Sequence, residues 1–208
     1  MSDVWSLLTR RVDRDKPLVT WMHEDVRIEL STATLTTSVA KVANALSLEL
    51  DAGPRVHLDL PWHWQLPVWQ GGVWVSGRML TLGEDADLVV VGENVTEAPS
   101  GSWAVSLHPW GLAITHDLPA GVDDVTDLVR SQPDALVIPS PESHAPLDTA
   151  RDVAAELGVG PGDRLLALPG DPVIPLLVPL VSGASVLLAE TVDAVDVERE
   201  GVTHIYVP

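Results

Sequence analysis

Two stretches of this chain carry the same order of signals, and that order restricts the fold to repeated βαβ units. The first begins with the apolar helix residues Val42, Ala43 and Leu46 and passes through Gly53-Pro54-Arg55-Val56. It continues along an alternating strand to Leu60-Pro61, an apolar helix, Gly77 and Met79-Leu80. The second begins with Val153, Ala154 and Leu157 and passes through Gly162-Asp163-Arg164-Leu165. It continues to Leu168-Pro169, an apolar helix, Gly183 and Val186-Leu187. Both read helix, glycine turn, arginine, strand, proline, buried helix, glycine, strand. Any βαβ protein repeats itself loosely, but the shared Arg-strand-Pro and the closing glycine go beyond periodicity.

The rest of the chain fits the same class. Leu35, Val39, Val42, Leu46 and Leu50 fall on one helix face, with Ser31 or Thr32 as its cap. A second helix is predicted over 66–77, and strands over 79–82, 88–91 and 103–107. Residues 109–121 read as a connector and 123–130 as a short helix, followed by a strand at 135–138. Ala150, Val153, Ala154 and Leu157 predict a helix capped by Asp148 or Thr149 and ended by Gly158. Further strands are expected at 164–168, 185–189 and 204–207, with a helix over 173–181 despite its prolines. Strands alternating with helices predict an α/β protein with largely parallel sheets flanked by helices. The 208 residues, 46% of them hydrophobic, suffice for two lobes, 1–120 and 121–208, with exchange of elements between them left open.

Charge and composition narrow the chemistry. A formal charge of −18 repels nucleic acid backbones and anionic lipid headgroups, so neither is an expected partner. The absence of cysteine excludes disulfides, thiolate zinc sites and a cysteine nucleophile. The start, Met1-Ser2-Asp3-Val4-Trp5, carries no secretory pattern, and the apolar run from Val173 to Leu188 is broken by Pro175, Pro179 and Gly183. A cytoplasmic protein is the expectation. Lysine occurs only at positions 16 and 41. Asp193, Asp196, Glu198 and Glu200 offer acidic charge to a basic partner, or simply solubilise the surface.

The run Leu157-Gly158-Val159-Gly160-Pro161-Gly162-Asp163-Arg164-Leu165, followed by Pro179-Leu180-Val181-Ser182-Gly183-Ala184-Ser185-Val186-Leu187, resembles the adenylate-forming superfamily. That superfamily contains acyl-CoA synthetases, nonribosomal peptide adenylation domains and luciferase. Residues 35–82 resemble the same enzymes' amino-terminal region, and the tail Val202-Thr203-His204-Ile205-Tyr206-Val207-Pro208 looks like their next strand. The chain also resembles a short actinobacterial family of unknown function with weak similarity to AMP-binding enzymes. The resemblance implies two α/β lobes related by a pseudo-twofold. It also implies that the adenine-stacking motif, the ribose-binding aspartate and the lid lysine would all lie beyond Pro208.

The family's phosphate loop should fall between the strand at 135–138 and the helix near Thr149. Glycines in such a loop let backbone amides close on phosphate, and a lysine neutralises its charge. Here the place reads Pro139-Ser140-Pro141-Glu142-Ser143-His144-Ala145-Pro146, without glycine or lysine and with three prolines that lack an amide donor. Glu142 adds a like charge. Neither ATP, AMP nor coenzyme A is supported as a cofactor by this loop. Ser140, Ser143 and His144, with Glu142 or Asp148 nearby, could form a nucleophile and base, although adjacent residues rarely take that geometry. No histidine pair has metal-ligand spacing, so no metal site is expected. His57, between Val56 and Leu58, reads as a hydrogen-bonded strand histidine.

Two further groups are singled out. Gly160, Gly162, Asp163 and Arg164 read as a structural turn, Gly162 for its backbone freedom and Arg164 for a pairing at the start of a strand. Trp62, Trp64, Trp69 and Trp74 either fill a helix–sheet core or form an aromatic docking surface or pocket wall. The functional expectation is a shortened, non-catalytic homologue of AMP-binding enzymes acting as a binding or structural module, with no catalytic residue assigned. The rival is a residual ligase subunit, or an acyl- or CoA-binding enzyme working with a partner chain. A homodimer or a partner subunit is expected, because a strand such as 204–207 would otherwise leave an open edge.

Overall fold

A computed structural model describes residues 3–49, 53–83 and 85–208 of the chain. Leu50, expected on the first helix face, lies outside them. The elements run α1 (Val4–Arg10), β1 (Pro17–His23), β2 (Val26–Ser31), α2 (Thr32–Asn44), β3 (Arg55–Asp59), α3 (Gln65–Val75) and β4 (Met79–Thr81). They continue with β5 (Leu88–Gly92), β6 (Ser102–Val105), β7 (Val122–Asp124), α4 (Thr126–Arg130) and α5 (Leu147–Leu157). The last are β8 (Arg164–Ala167), α6 (Leu177–Ser182), β9 (Ser185–Leu188) and β10 (His204–Tyr206). One compact unit comprises Met1–Thr36, Trp62–Pro67 and Ala145–Pro208, and the other Thr37–Pro61 and Val68–His144. Each unit draws on residues from both sides of position 120.

Among the described residues, each unit has a five-stranded sheet. In the first the order is β10-β8-β9-β1-β2, parallel except for the antiparallel hairpin of β1 and β2. In the second it is β4-β3-β5-β6-β7, parallel throughout. The sequence repeat reappears as topology: β3-α3-β4 and β8-α6-β9 each place two neighbouring parallel strands. The next strand then returns to the far side of the first, giving β4-β3-β5 and β9-β8-β10.

The backbone bonds at the start of the two units match one for one. Met79 N–H donates to the Pro54 carbonyl and Ser185 N–H to the Asp163 carbonyl, both at 2.9 Å. Asp87 N–H donates to the Arg55 carbonyl at 2.8 Å, and Thr203 N–H to the Arg164 carbonyl at 2.9 Å. In return Arg55 N–H donates to Asp87 Oδ2 and Arg164 N–H to Thr203 Oγ1, both at 3.0 Å. The closing glycines, Gly77 and Gly183, both sit in the left-handed region at φ 78° and 79°. A side chain there would strain the turn that sends each helix back into the sheet.

Several boundaries differ from the sequence reading. Of the two caps expected for α2, Ser31 is the one used, since its Oγ accepts from Thr34 N–H at 3.1 Å, whereas other ends shift. Helix α5 begins at Leu147 behind Pro146, with no side-chain cap from Asp148 or Thr149. Residues 173–176 form turns, anchored by Ile174 N–H to the Asp171 carbonyl, and only from Leu177 does α6 proceed. The expected helix over 123–130 divides into β7 and α4.

Helix α3 is apolar on all sides and deeply buried, with Val68, Trp69, Val73 and Trp74 almost inaccessible. It passes close to α2: a Cβ at Gly72 would overlap the Val42 side chain, which is itself buried. Gly72→Ala should therefore lower stability by about 1–3 kcal/mol through overpacking. Urea unfolding checks this, and an unchanged midpoint would remove the close packing from the account.

Candidate functional site

The segment leading to residues 139–146, where the resemblance places a phosphate loop, is held by side chains instead of by a sheet. Lys41 and Asn44 lie one turn apart on α2. Lys41 Nζ donates to the carbonyls of Arg130 at 2.7 Å and Gln132 at 2.9 Å, and pairs with Asp134 at 3.0 Å. Asn44, only 2% exposed, donates through Nδ2 to the Pro133 and Ala135 carbonyls at 3.1 and 2.9 Å. Its Oδ1 accepts from Val137 N–H at 3.1 Å. The predicted strand at 135–138 is accordingly absent among the described residues: an amide side chain takes the backbone bonds that a neighbouring strand would have made, and Val137 and Ile138 stay exposed.

Beyond it, Ser140 Oγ donates to the Val75 carbonyl at 2.9 Å, and the Pro141 ring lies against Gly77. A recess of about 130 Å³ remains beside them, lined by Asn44, Val75, Leu136, Ile138 and Pro139 among others. Residues 139–146 carry no helix or strand; Glu142 and His144 are exposed and Ser143 is half-buried. The Ser140 proton goes to a main-chain oxygen, and Val75, not His144, is its partner. Among the described residues, no group of three or more His, Asp or Glu side chains is placed to hold a metal ion. No helix among them is long and apolar enough to cross a membrane.

The turn at 160–164 is closed by its own hydrogen bonds. Gly160 N–H donates to Asp163 Oδ2 at 2.8 Å, and Asp163 N–H returns to the Gly160 carbonyl at 3.1 Å. The Gly160 amide, assisted by Thr203 and His204, holds the Asp163 carboxyl below the usual aspartate range against the opposing effect of burial. Gly162 has φ 87°, with open space where a Cβ would stand, so backbone conformation alone demands glycine there. Arg164 donates to Thr20 Oγ1 and Glu200 Oε2, each at 3.0 Å. Arg27 reaches the same carboxylate at 2.9 and 3.0 Å. Glu200 is therefore an internal clamp, and Asp196 caps Arg199 N–H at 3.0 Å, which removes Glu200 from the acidic face expected for a partner.

The tryptophans divide in favour of the core. Trp69 and Trp74 are buried on α3, and Trp62, also buried, donates from Nε1 to the Ala167 carbonyl at 2.9 Å. These three form no docking surface. Trp64 is half-buried beside His63, whose ring meets Trp21 edge-on at 4.3 Å. Trp21, not singled out from the sequence, donates from Nε1 to the Trp62 carbonyl at 2.9 Å. His57 is a strand histidine as read, with Nδ1 at 3.0 Å from the Thr81 carbonyl.

The architecture has clear counterparts among solved structures. The Brucella canis acyl-CoA synthetase superposes with a TM-score of 0.73 at 20% identity, over 98% of this chain and 47% of that one. The fold is that of the amino-terminal part of an adenylate-forming enzyme. Apo MatB from Rhodopseudomonas palustris matches with a TM-score of 0.65 at 15% identity, over 95% of this chain and 46% of its own. The anthranilate CoA ligase AuaEII, in complex with anthranoyl-AMP, matches at 0.66 and 16%, over 91% and 45%. This chain thus spans about half the length of these three enzymes. No family model matches the sequence, and no curated protein matches it.

The clamp on Glu200 makes stability depend on pH. Hydrogen bonding to Arg27, with Arg164 adding to it, holds this carboxyl below the ordinary glutamate value of 4.5 despite its burial. A carboxyl lowered by folding stabilises the folded state above its unfolded pKa and loses that contribution as the pH falls through the folded value. Glu200→Gln should therefore destabilise the protein at pH 7 and bring its melting temperature closer to wild type below about pH 4. Melting curves from pH 3 to 7 check it; a constant gap between the two proteins would contradict the clamp.

Proposed function

We propose that this chain is a non-catalytic adenylate-forming fold that serves as a binding or structural module. The observation that carries the reading is the segment at 139–146. It supplies no glycine and no lysine where the family closes backbone amides and an ammonium on phosphate, and its three prolines remove three donors. Lys41, the lysine of the second unit, is held by two carbonyls and Asp134. Ser140 is bonded to Val75, and the exposed Glu142 repels phosphate.

Magnesium–ATP titrated by calorimetry to millimolar concentration should give no saturable heat. Saturable binding that Glu142→Lys or Ser140→Ala alters would contradict the reading and favour a residual ligase working with a partner chain.

The module also associates, as a homodimer or with a partner subunit. Among the described residues, edge strand β10 pairs with β8 alone, and Ile205 and Val207 are 46% and 62% exposed there. Sedimentation at micromolar concentration should show a dimer, or a monomer that a co-purifying subunit converts to a stoichiometric complex, either one sensitive to Ile205→Ser. A monomer with no such subunit removes this part of the proposal.

A further inference from the structure

Residues 107–121 of the second unit form a loop that acts as a cover for its sheet. Ile114 and Leu118 pack against the buried cluster of Val91, Ala104 and Val122. Glu93, just after β5, fixes the loop at two points. Its Oε1 accepts from Leu107 N–H at 2.7 Å, and its carbonyl lies 2.9 Å from His116 Nε2. A carbonyl oxygen only accepts, so His116 carries its proton on Nε2 in this bond. The tip is folded on itself, with Trp110 N–H donating to His108 Nδ1 at 3.1 Å and Gly111 N–H to the His108 carbonyl at 2.8 Å.

This anchored loop turns its two largest remaining apolar side chains outward. Trp110 is 75% exposed and Leu112 50%. The other tryptophans discussed above are buried or half-buried, so the exposure of Trp110 is particular to this site. An indole that gains a partner buries about 150–250 Å² of surface while ordering only two side-chain torsions. Tryptophan is accordingly prominent among the residues that dominate protein interfaces.

The stretch of sequence that carries it is predominantly acidic. Residues 79–129 contain nine acidic residues and no lysine or arginine. Asp117 on the loop and Asp123 and Asp124 on β7 are exposed, while Asp127 on α4, also exposed, pairs with Arg130 at 3.7 Å. Strand β7 is an edge of its sheet, and charge along an edge opposes addition of another strand. Recognition here would therefore run through side chains. A second copy would bring a chain of charge −18 against this acidic segment, whereas a basic partner gains from it.

We propose that the surface formed by the 107–121 loop and β7 docks a basic, amphipathic protein segment, with Trp110 as the apolar anchor and Leu112 beside it. The surrounding aspartates steer the lysines or arginines of that segment. The proposal stands independently of whether the 139–146 segment binds nucleotide.

The test uses two labelled synthetic helices, one of lysine and leucine and one of glutamate and leucine, titrated against the whole chain by fluorescence anisotropy at about 0.15 M salt. The lysine helix should bind and the glutamate helix should not. Trp110→Ala should weaken binding by about tenfold, as loss of an interface anchor does, while Trp110→Phe retains most of it. Val12→Ser, at an exposed apolar side chain of the first unit, should leave it unchanged. Asp123→Asn with Asp124→Asn should slow association and reduce its salt dependence. Melting curves confirm that the variants are folded. Equal binding by Trp110→Ala would show unspecific attraction to negative charge and overturn the proposal. So would equal binding of the glutamate helix, or a wild-type dimer in sedimentation that Trp110→Ala dissociates.

Discussion

Parallel strands have no hairpin to fix their register, and in both units of this protein an arginine at the first residue of a strand does so. Arg55 and Arg164 each accept a backbone N–H from the segment leading to the neighbouring strand and donate their own N–H to a side-chain oxygen of it. Each also grips a carboxylate there, Asp87 at 3.0 Å and Glu200 at 3.0 Å. The two clamps differ in surroundings. The Arg55 pair is exposed, where such pairs add little, whereas Arg164 and Glu200 are largely covered and joined by Arg27. The second clamp fixes the segment 190–203, from which Val192, Val195 and Val202 pack with Leu166 and Leu187.

The same economy of regular structure governs the candidate site. Lys41, Asn44 and Ser140 bind main-chain atoms, so the segment from 130 to 141 is positioned without a strand. Such a segment can be rigid while offering few free amides, and prolines at 139, 141 and 146 reduce them further. The fold of the amino-terminal part of an acyl-CoA synthetase thus surrounds a segment that offers few backbone donors.

The legible parts of the sequence were those with local causes. The repeat could be read because arginine, proline and closing glycine each act within a few residues, and the α2 face because apolar spacing alone sets it. The strand expected at 135–138 failed because its β-branched residues meet Asn44, distant in sequence, instead of a neighbouring strand. The β1–β2 hairpin was missed because it turns at Glu24-Asp25, with Glu24 at φ 51° and no glycine or asparagine to announce it. Linear order likewise hid the use of Glu200 as an internal clamp and the outward turn of Trp110. Both depend on bonds across the fold.

The proposed function requires that this chain does not activate carboxylates through residues 139–146. ATP–pyrophosphate exchange tests that most directly, with the whole chain, magnesium and mixed aliphatic, aromatic and amino acid carboxylates. The account predicts exchange indistinguishable from the protein-free control. Exchange that rises in proportion to protein and requires a particular carboxylate would contradict it.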